Sequence, residues 1–223
     1  MHLVIISCTP RSASASNTGK IILKFKEGFD GGEHSSEIHY LANRKSWPEI
    51  RTAFYHNSDI LFALPLFVEC VPGIMLEFLE TLEPKTDLDH SCKTKVSFLL
   101  QGGFAEASQL RCCERYLEKL PAYLGCDYNG TLIKGNMFAV SIVSEKSREK
   151  LLAPFVDMGK TFALEGRFDK DKVTVFAKPE YFSKRSIFFS SLMNPAQNWM
   201  FRQIAKSKGC KKPLDDTPLE LQA

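Results

Sequence analysis

Residues 8–19, Cys-Thr-Pro-Arg-Ser-Ala-Ser-Ala-Ser-Asn-Thr-Gly, join a short apolar run to a helical pattern through a loop rich in hydroxyls. Upstream, Leu3-Val4-Ile5-Ile6 is rich in β-branched residues and reads as a strand buried on both faces. Downstream, the segment from Lys20 to Phe29 puts Ile21 or Ile22, Phe25 and Phe29 on one helical face. The loop between them holds the hydroxyls of Thr9, Ser12, Ser14, Ser16 and Thr18 and one cation, Arg11, and it enters the helix through Asn17-Thr18-Gly19. A helix N-terminus offers N–H groups without intrahelical acceptors and a partial positive charge, so this unit suits an anion such as a phosphate. Taken alone, the loop is read equally well as a plain serine-rich turn capped by Ser16 or Asn17, because caps use the same residue types.

Further along, apolar runs alternate with helical patterns. Glu37-Ile38-His39-Tyr40-Leu41, Asp59-Ile60-Leu61-Phe62-Ala63-Leu64-Pro65, residues 94–100 and the weaker Thr131-Leu132-Ile133 read as strands. Helices are expected from Trp47-Pro48-Glu49 onward, over 71–82 with Met75, Phe78, Leu79 and Leu82 in register, over 107–124, and over 145–164 with an interruption near Pro154. This rhythm predicts an α/β fold, a doubly wound parallel sheet with helices on both faces. The loops after the first, third and fourth strands would then converge at its carboxyl edge. The second of them, Pro65-Leu66-Phe67-Val68-Glu69-Cys70-Val71-Pro72-Gly73, is stiffened by prolines and offers an apolar wall for a flat ring. Cys70 within it is expected to be buried as a small hydrophobe. The third, Gln101-Gly102-Gly103-Phe104-Ala105-Glu106, lets a ligand approach the backbone, or else is a helix-entry turn that needs positive φ.

Twenty-nine basic and 26 acidic residues give the 223-residue chain a net charge of only +3, with both signs interspersed, so nucleic acid is not indicated. Seven cysteines occur without Cys-x-x-Cys spacing, which argues for reduced thiols and against a metal or iron–sulfur site. The apolar run before Arg11 is too short for a signal peptide or a membrane span, and a soluble, cytoplasmic protein is expected. The histidines, His2, His34, His39, His56 and His90, lie away from the three loops in sequence.

The hydroxyl and Asn-Thr loop after strand one, Pro-Leu-Phe after strand three with a Pro-Gly opening the next helix, and Gly-Gly-Phe after strand four together resemble the flavodoxin-like NAD(P)H-dependent FMN reductase family over residues 1–166. The resemblance implies a flavodoxin-like five-stranded parallel sheet in the order 2-1-3-4-5 and bound FMN as cofactor. Thr9, Arg11, Ser16, Asn17 and Thr18 would hold the FMN phosphate. Pro65, Leu66, Phe67 and Val68 would line the isoalloxazine, and Gly102, Gly103 and Phe104 would close its other edge. Three features depart from the family pattern: Cys8 replaces the usual glycine, Ser12-Ala13-Ser14-Ala15 lengthens the first loop, and Phe67 stands where tyrosine or tryptophan is frequent.

The function implied is an FMN-dependent NAD(P)H oxidoreductase, with a nicotinamide donor and a quinone, nitro or azo compound, or flavin as small-molecule acceptor. The alternatives are a flavodoxin-type electron carrier and a flavin-free binding module of the same fold. Residues 167–223 read as an aromatic-rich C-terminal extension, helical in the main, with Lys172-Val173-Thr174-Val175-Phe176 as a short strand and an extended arm after Gly209. Such an apolar segment is expected to pack on the core or to form a homodimer interface, a membrane-surface helix being the third option.

Overall fold

The computed structural model describes residues 1–85, 93–192 and 194–210. Five strands, β1 (His2–Ser7), β2 (Ser35–Tyr40), β3 (Asp59–Pro65), β4 (Lys95–Gln101) and β5 (Asp127–Lys134), pair in parallel in the order β2-β1-β3-β4-β5. The chain order therefore reverses at β1, whose neighbours β2 and β3 lead away in opposite directions, and a crevice opens beyond the carboxyl ends at that point. Ser7, Pro65, Gln101 and Lys134 end the four inner and outer strands that feed it, in near-level register.

Helices α1 (Asn17–Phe29), α2 (Trp47–His56), α3 (Gly73–Leu79), α4 (Arg111–Tyr123), α5 (Glu145–Glu165) and α6 (Lys170–Ala177) complete a compact unit that runs from Met1 to Tyr181. Its core is the continuous apolar content of β1, β3 and β4 clamped between helices: Leu3 to Ile6, Ile60 to Leu64 and Phe98 to Leu100 are all fully buried. On one face α1 and α5 touch at backbone distance. A Cβ added at Gly28 would sit 1.8 Å from the Val156 carbonyl oxygen, and one at Gly159 would sit 2.1 Å from that of Phe25. Either side chain would force the helices apart, so both positions need glycine. Around this crossing Phe25, Phe29, Phe162 and Phe168 form one aromatic cluster, with ring centroids 4.6 to 6.2 Å apart.

Three expectations are corrected. Lys172 to Phe176 is part of α6, not a strand: the Asp169 carboxylate accepts from the Asp171 and Lys172 amides and caps a helix, which buries Val173 and Ala177 four residues apart and leaves Val175 exposed. Local capping outweighs the β-branched composition. Helix α5 passes through Pro154 without a break, held by its packing against α1. Residues 107–110 form a separate 3₁₀ turn ahead of α4.

A second unit begins at Phe182 and contains α7 (Lys184–Leu192) and α8 (Asn194–Ser207). The arm expected after Gly209 and Cys92 fall largely or wholly outside the described residues.

Candidate functional site

Beyond the carboxyl ends of β1, β3 and β4, a cleft of about 210 Å³ is lined by Thr9, Arg11, Ser16, Asn17, Thr18, Pro65, Leu66, Phe67, Gln101, Gly103 and Phe138. Nine of the twelve residues singled out from the sequence meet there; Val68, Gly102 and Phe104 do not line it.

Its first wall is the turn into α1. Ser16 adopts the extended conformation of an N-cap, and its Oγ accepts from the Gly19 amide at 3.3 Å. Thr9 Oγ1 accepts from the Arg11 amide at 3.3 Å. Both hydroxyls are buried and accept from backbone, and neither donates its own proton to an acceptor among the described residues. The amides of Asn17 and Thr18, in the first turn, likewise have no acceptor there. Thr18, also buried, shares its hydroxyl with the Gln101 carboxamide at 3.2 Å, which ties α1 to the end of β4. A Cβ at Gly19 would lie 2.4 Å from the Ala13 carbonyl oxygen, so glycine is what lets the loop fold down over the first helical turn.

The second wall is the end of β3. The Leu66 amide donates to the Gln101 carbonyl at 2.7 Å, and Phe67 and Cys70 exchange both backbone hydrogen bonds at 3.0 Å, closing a two-residue hairpin. Its tip residues Val68 and Glu69 have φ of +47° and +64°, the combination that a primed turn demands and that usually calls for Asn-Gly. A β-branched valine in this region is strained by about 1–2 kcal/mol. Val68 is 99% exposed, pointing away from the cleft that it was expected to line, and Cys70 is exposed rather than buried because it closes the hairpin at the surface.

The third wall is the loop after β4. Gly102 is used by the fold itself: its amide donates to the Lys134 carbonyl at 3.0 Å and its carbonyl accepts from Met137 at 2.9 Å. Gly103 faces the opening, where an added Cβ would meet only Phe138 Cβ, at 3.8 Å. Phe104 is 76% exposed, and its carbonyl accepts from the Asn136 amide at 2.7 Å.

Two lining residues escaped the sequence reading. Gln101 stood in the quoted loop, but nothing distinguished its amide from those of other polar residues. Phe138 follows β5, in a 3₁₀ turn at Met137–Ser141 entered through Asn136 at φ +63°. Its one signal was an aromatic residue just past a strand's carboxyl end.

The electrostatics are one-sided. Among the described residues Arg11 is the only charged one lining the cleft, and no carboxylate lines it. Cys8 contributes nothing there: it is wholly buried, its Sγ donates to the Ile6 carbonyl at 3.4 Å, and burial pushes its thiol well above the ordinary range. A larger hollow of about 510 Å³ lies between α4, β5 and α6 at the sheet's lateral edge. There Arg111 is already neutralised by Glu114 and Glu180, both at 2.7 Å, and no strand ends in it. The smaller cleft, with donors left open and loops converging, is the better-built site. Among the described residues no group of three or more His, Cys, Asp or Glu is arranged to hold a metal, and no helix is long and apolar enough to cross a membrane.

No protein-family model and no curated protein matches this chain by sequence. Solved structures do. An FMN-dependent NADH-azoreductase from Bacillus anthracis, in complex with FMN, superposes with a TM-score of 0.54 at 12% identity, over 73% of this chain and 100% of that one. An NAD(P)H:quinone oxidoreductase from Methanothermobacter marburgensis gives 0.57 at 16% identity, over 76% and 98%. The Trp repressor binding protein from Bacillus subtilis gives 0.52 at 17% identity, over 75% and 99%. At these identities the likeness establishes a shared fold, the flavodoxin-like α/β architecture expected from the sequence.

Proposed function

We propose that this protein is an FMN-dependent NAD(P)H oxidoreductase whose flavin lies in the cleft between the first, third and fourth strands. The observation that carries the reading is the donor set at the start of α1. Among the described residues, two buried hydroxyls, on Thr9 and Ser16, have protons without an acceptor; two open amides, on Asn17 and Thr18, and the Arg11 cation join them, and no carboxylate lines the cleft. A group that only accepts hydrogen bonds and carries negative charge satisfies all of these, and a phosphate monoester is such a group. From that anchor the cleft continues along the Pro65-Leu66-Phe67 wall to Gly103, where the missing side chain leaves room for the edge of a flat ring. The residues present therefore fit FMN.

When bound, such a cofactor supplies the redox chemistry, taking two electrons from a nicotinamide and giving them to a small acceptor. What the chain contributes is position. Thr9, Arg11, Ser16, Thr18 and the Asn17 amide would hold the phosphate, and the stiff Pro65 to Phe67 segment would supply an apolar wall for the ring. No protein acid or base is required. The B. anthracis and M. marburgensis enzymes of the same fold, an FMN-dependent azoreductase and an NAD(P)H:quinone oxidoreductase, support an azo or quinone acceptor here.

Exposed aromatic and aliphatic side chains, Ile187, Trp199 and Phe201 among them, favour a homodimer, to be read by sedimentation equilibrium. The function itself is tested by adding FMN to the purified protein and following fluorescence quenching, then anaerobic bleaching with NADH or NADPH. Binding followed by bleaching supports an oxidoreductase; binding without bleaching leaves an electron carrier; no binding removes the reading.

A further inference from the structure

The side chain of Asn17 faces away from the task that the sequence suggests for it. Its Nδ2 donates to the Met137 carbonyl at 2.9 Å, and its Oδ1 accepts from Ser141 Oγ at 2.7 Å, across more than a hundred residues of chain. The Met137 carbonyl can only accept, which fixes the orientation of the carboxamide and commits one donor of its nitrogen and one lone pair of its oxygen to the turn. The turn that it grips, Met137–Ser141, carries Phe138 into the lining of the cleft beside Gly103.

Other contacts hold the same turn. The Met137 and Asn136 amides donate to the Gly102 and Phe104 carbonyls, at 2.9 and 2.7 Å. From α5, Arg148 donates through Nε to the Val140 carbonyl at 2.9 Å and through Nη2 to that of Val143 at 3.4 Å. Asn17 is the contact that ties the turn to the phosphate end of the site, since it is the first residue of α1.

We infer that Asn17 is a positioning residue for Phe138, latching the wall of the ring subsite to the helix that anchors the phosphate, and that its carboxamide is not a phosphate ligand. The ligand named here rests on the flavin reading above; the latch does not. Phe138, 46% exposed and projecting from a turn clamped on three sides, is the side chain that packs against the bound ring. Holding it in place before the ligand arrives lowers the ordering cost of binding.

The distinguishing experiment compares FMN with riboflavin, which has the ring and lacks the phosphate. Dissociation constants for both are measured by flavin fluorescence on wild type, Asn17→Ala, Ser141→Ala, Phe138→Ala and Arg11→Ala. Loss of the latch weakens both flavins by the same factor, about three- to tenfold for Asn17→Ala, and leaves the preference for FMN over riboflavin unchanged. Ser141→Ala gives a smaller shift of the same kind, Phe138→Ala a larger one, and Arg11→Ala reduces the preference itself. A loss confined to FMN in Asn17→Ala overturns the inference and makes the carboxamide a phosphate ligand.

Amide hydrogen exchange on the ligand-free protein tests the latch independently. Peptides covering 137–143 exchange faster in Asn17→Ala than in wild type, while those from β1 and β3 do not change. Unchanged exchange at 137–143 overturns the latch. If the wild type binds neither flavin, the flavin reading falls and exchange alone decides whether Asn17 holds the turn.

Discussion

Helix α1 has two halves with opposite characters. From Phe25 to Phe29 it is locked against α5, with Gly28 and Gly159 bringing the backbones into contact and four phenylalanines closed around the crossing. From Ser16 to Thr18 it is polar and incompletely bonded, with two open amides and a hydroxyl proton facing a cleft. The contrast teaches that rigidity and binding are supplied by different ends of one element. The packed half fixes the axis, and the free half is then aimed without having to contribute to stability. This is why a short helix suffices to present donors at a defined place.

That division is open to attack at several points. The largest effect is expected from Phe162→Ala, which empties the aromatic cluster and costs about 3–5 kcal/mol in urea unfolding; an unchanged midpoint would mean that the packed half does not carry the helix. Arg11→Ala, at the other end, is expected to leave stability within about 0.5 kcal/mol while weakening FMN binding about tenfold to a hundredfold, as the loss of charge-assisted hydrogen bonds would. Equal losses in both assays would erase the distinction.

Gly19→Ala probes the border between the halves. Its Cβ would press on the Ala13 carbonyl, so it is expected to cost about 1–3 kcal/mol and to displace the loop, lowering FMN affinity as well. Val68→Gly, on the opposite wall, relieves a positive φ and is expected to raise stability by about 1 kcal/mol, with flavin binding unaltered because the side chain points to solvent.

The smallest effect is an alkaline one. Burial pushes the Tyr128 hydroxyl up to about 12. In the unfolded chain this group ionises near its ordinary value of about 10, so between these values the unfolded state holds fewer protons than the folded state. Stability therefore falls as pH rises through that window. Tyr128→Phe flattens this part of the stability profile, whereas Arg11→Ala leaves it as it is; a flat wild-type profile there would show that the tyrosine is not held neutral by the fold.

Much of this was legible from residues alone. The run Leu3 to Ile6, the hydroxyl loop and the Ile21, Phe25, Phe29 stripe specify a strand, a turn and an amphipathic helix by local rules, and the structure has each of them. That the loops carrying Pro65 to Phe67 and Gly103 meet at one edge followed from the alternation of strands and helices, whereas the choice of those residues within the loops came from the family resemblance. Illegible were cases where a neighbour distant in sequence, or a local cap, overrode composition. Lys172 to Phe176 carries a β-branched pattern but follows Asp169, whose carboxylate starts a helix. Pro154 would end an isolated helix, yet α5 is held straight through by its contact with α1. Val68 sits in an apolar stretch that suggests a ring-facing wall, and a tight hairpin turns it outward.

The amino-acid sequence by itself determined the order of elements and the chemistry gathered after β1, because periodicity, capping and hydroxyl content act over a few neighbouring residues. The tertiary structure alone decided which of those polar groups remain available. Asn17, Gln101 and Gly102 are bonded to partners remote in the chain, while Thr9, Ser16 and the first amides of α1 keep donors open. Whether a donor is satisfied depends on what packing brings within three ångströms of it, and no local pattern encodes that.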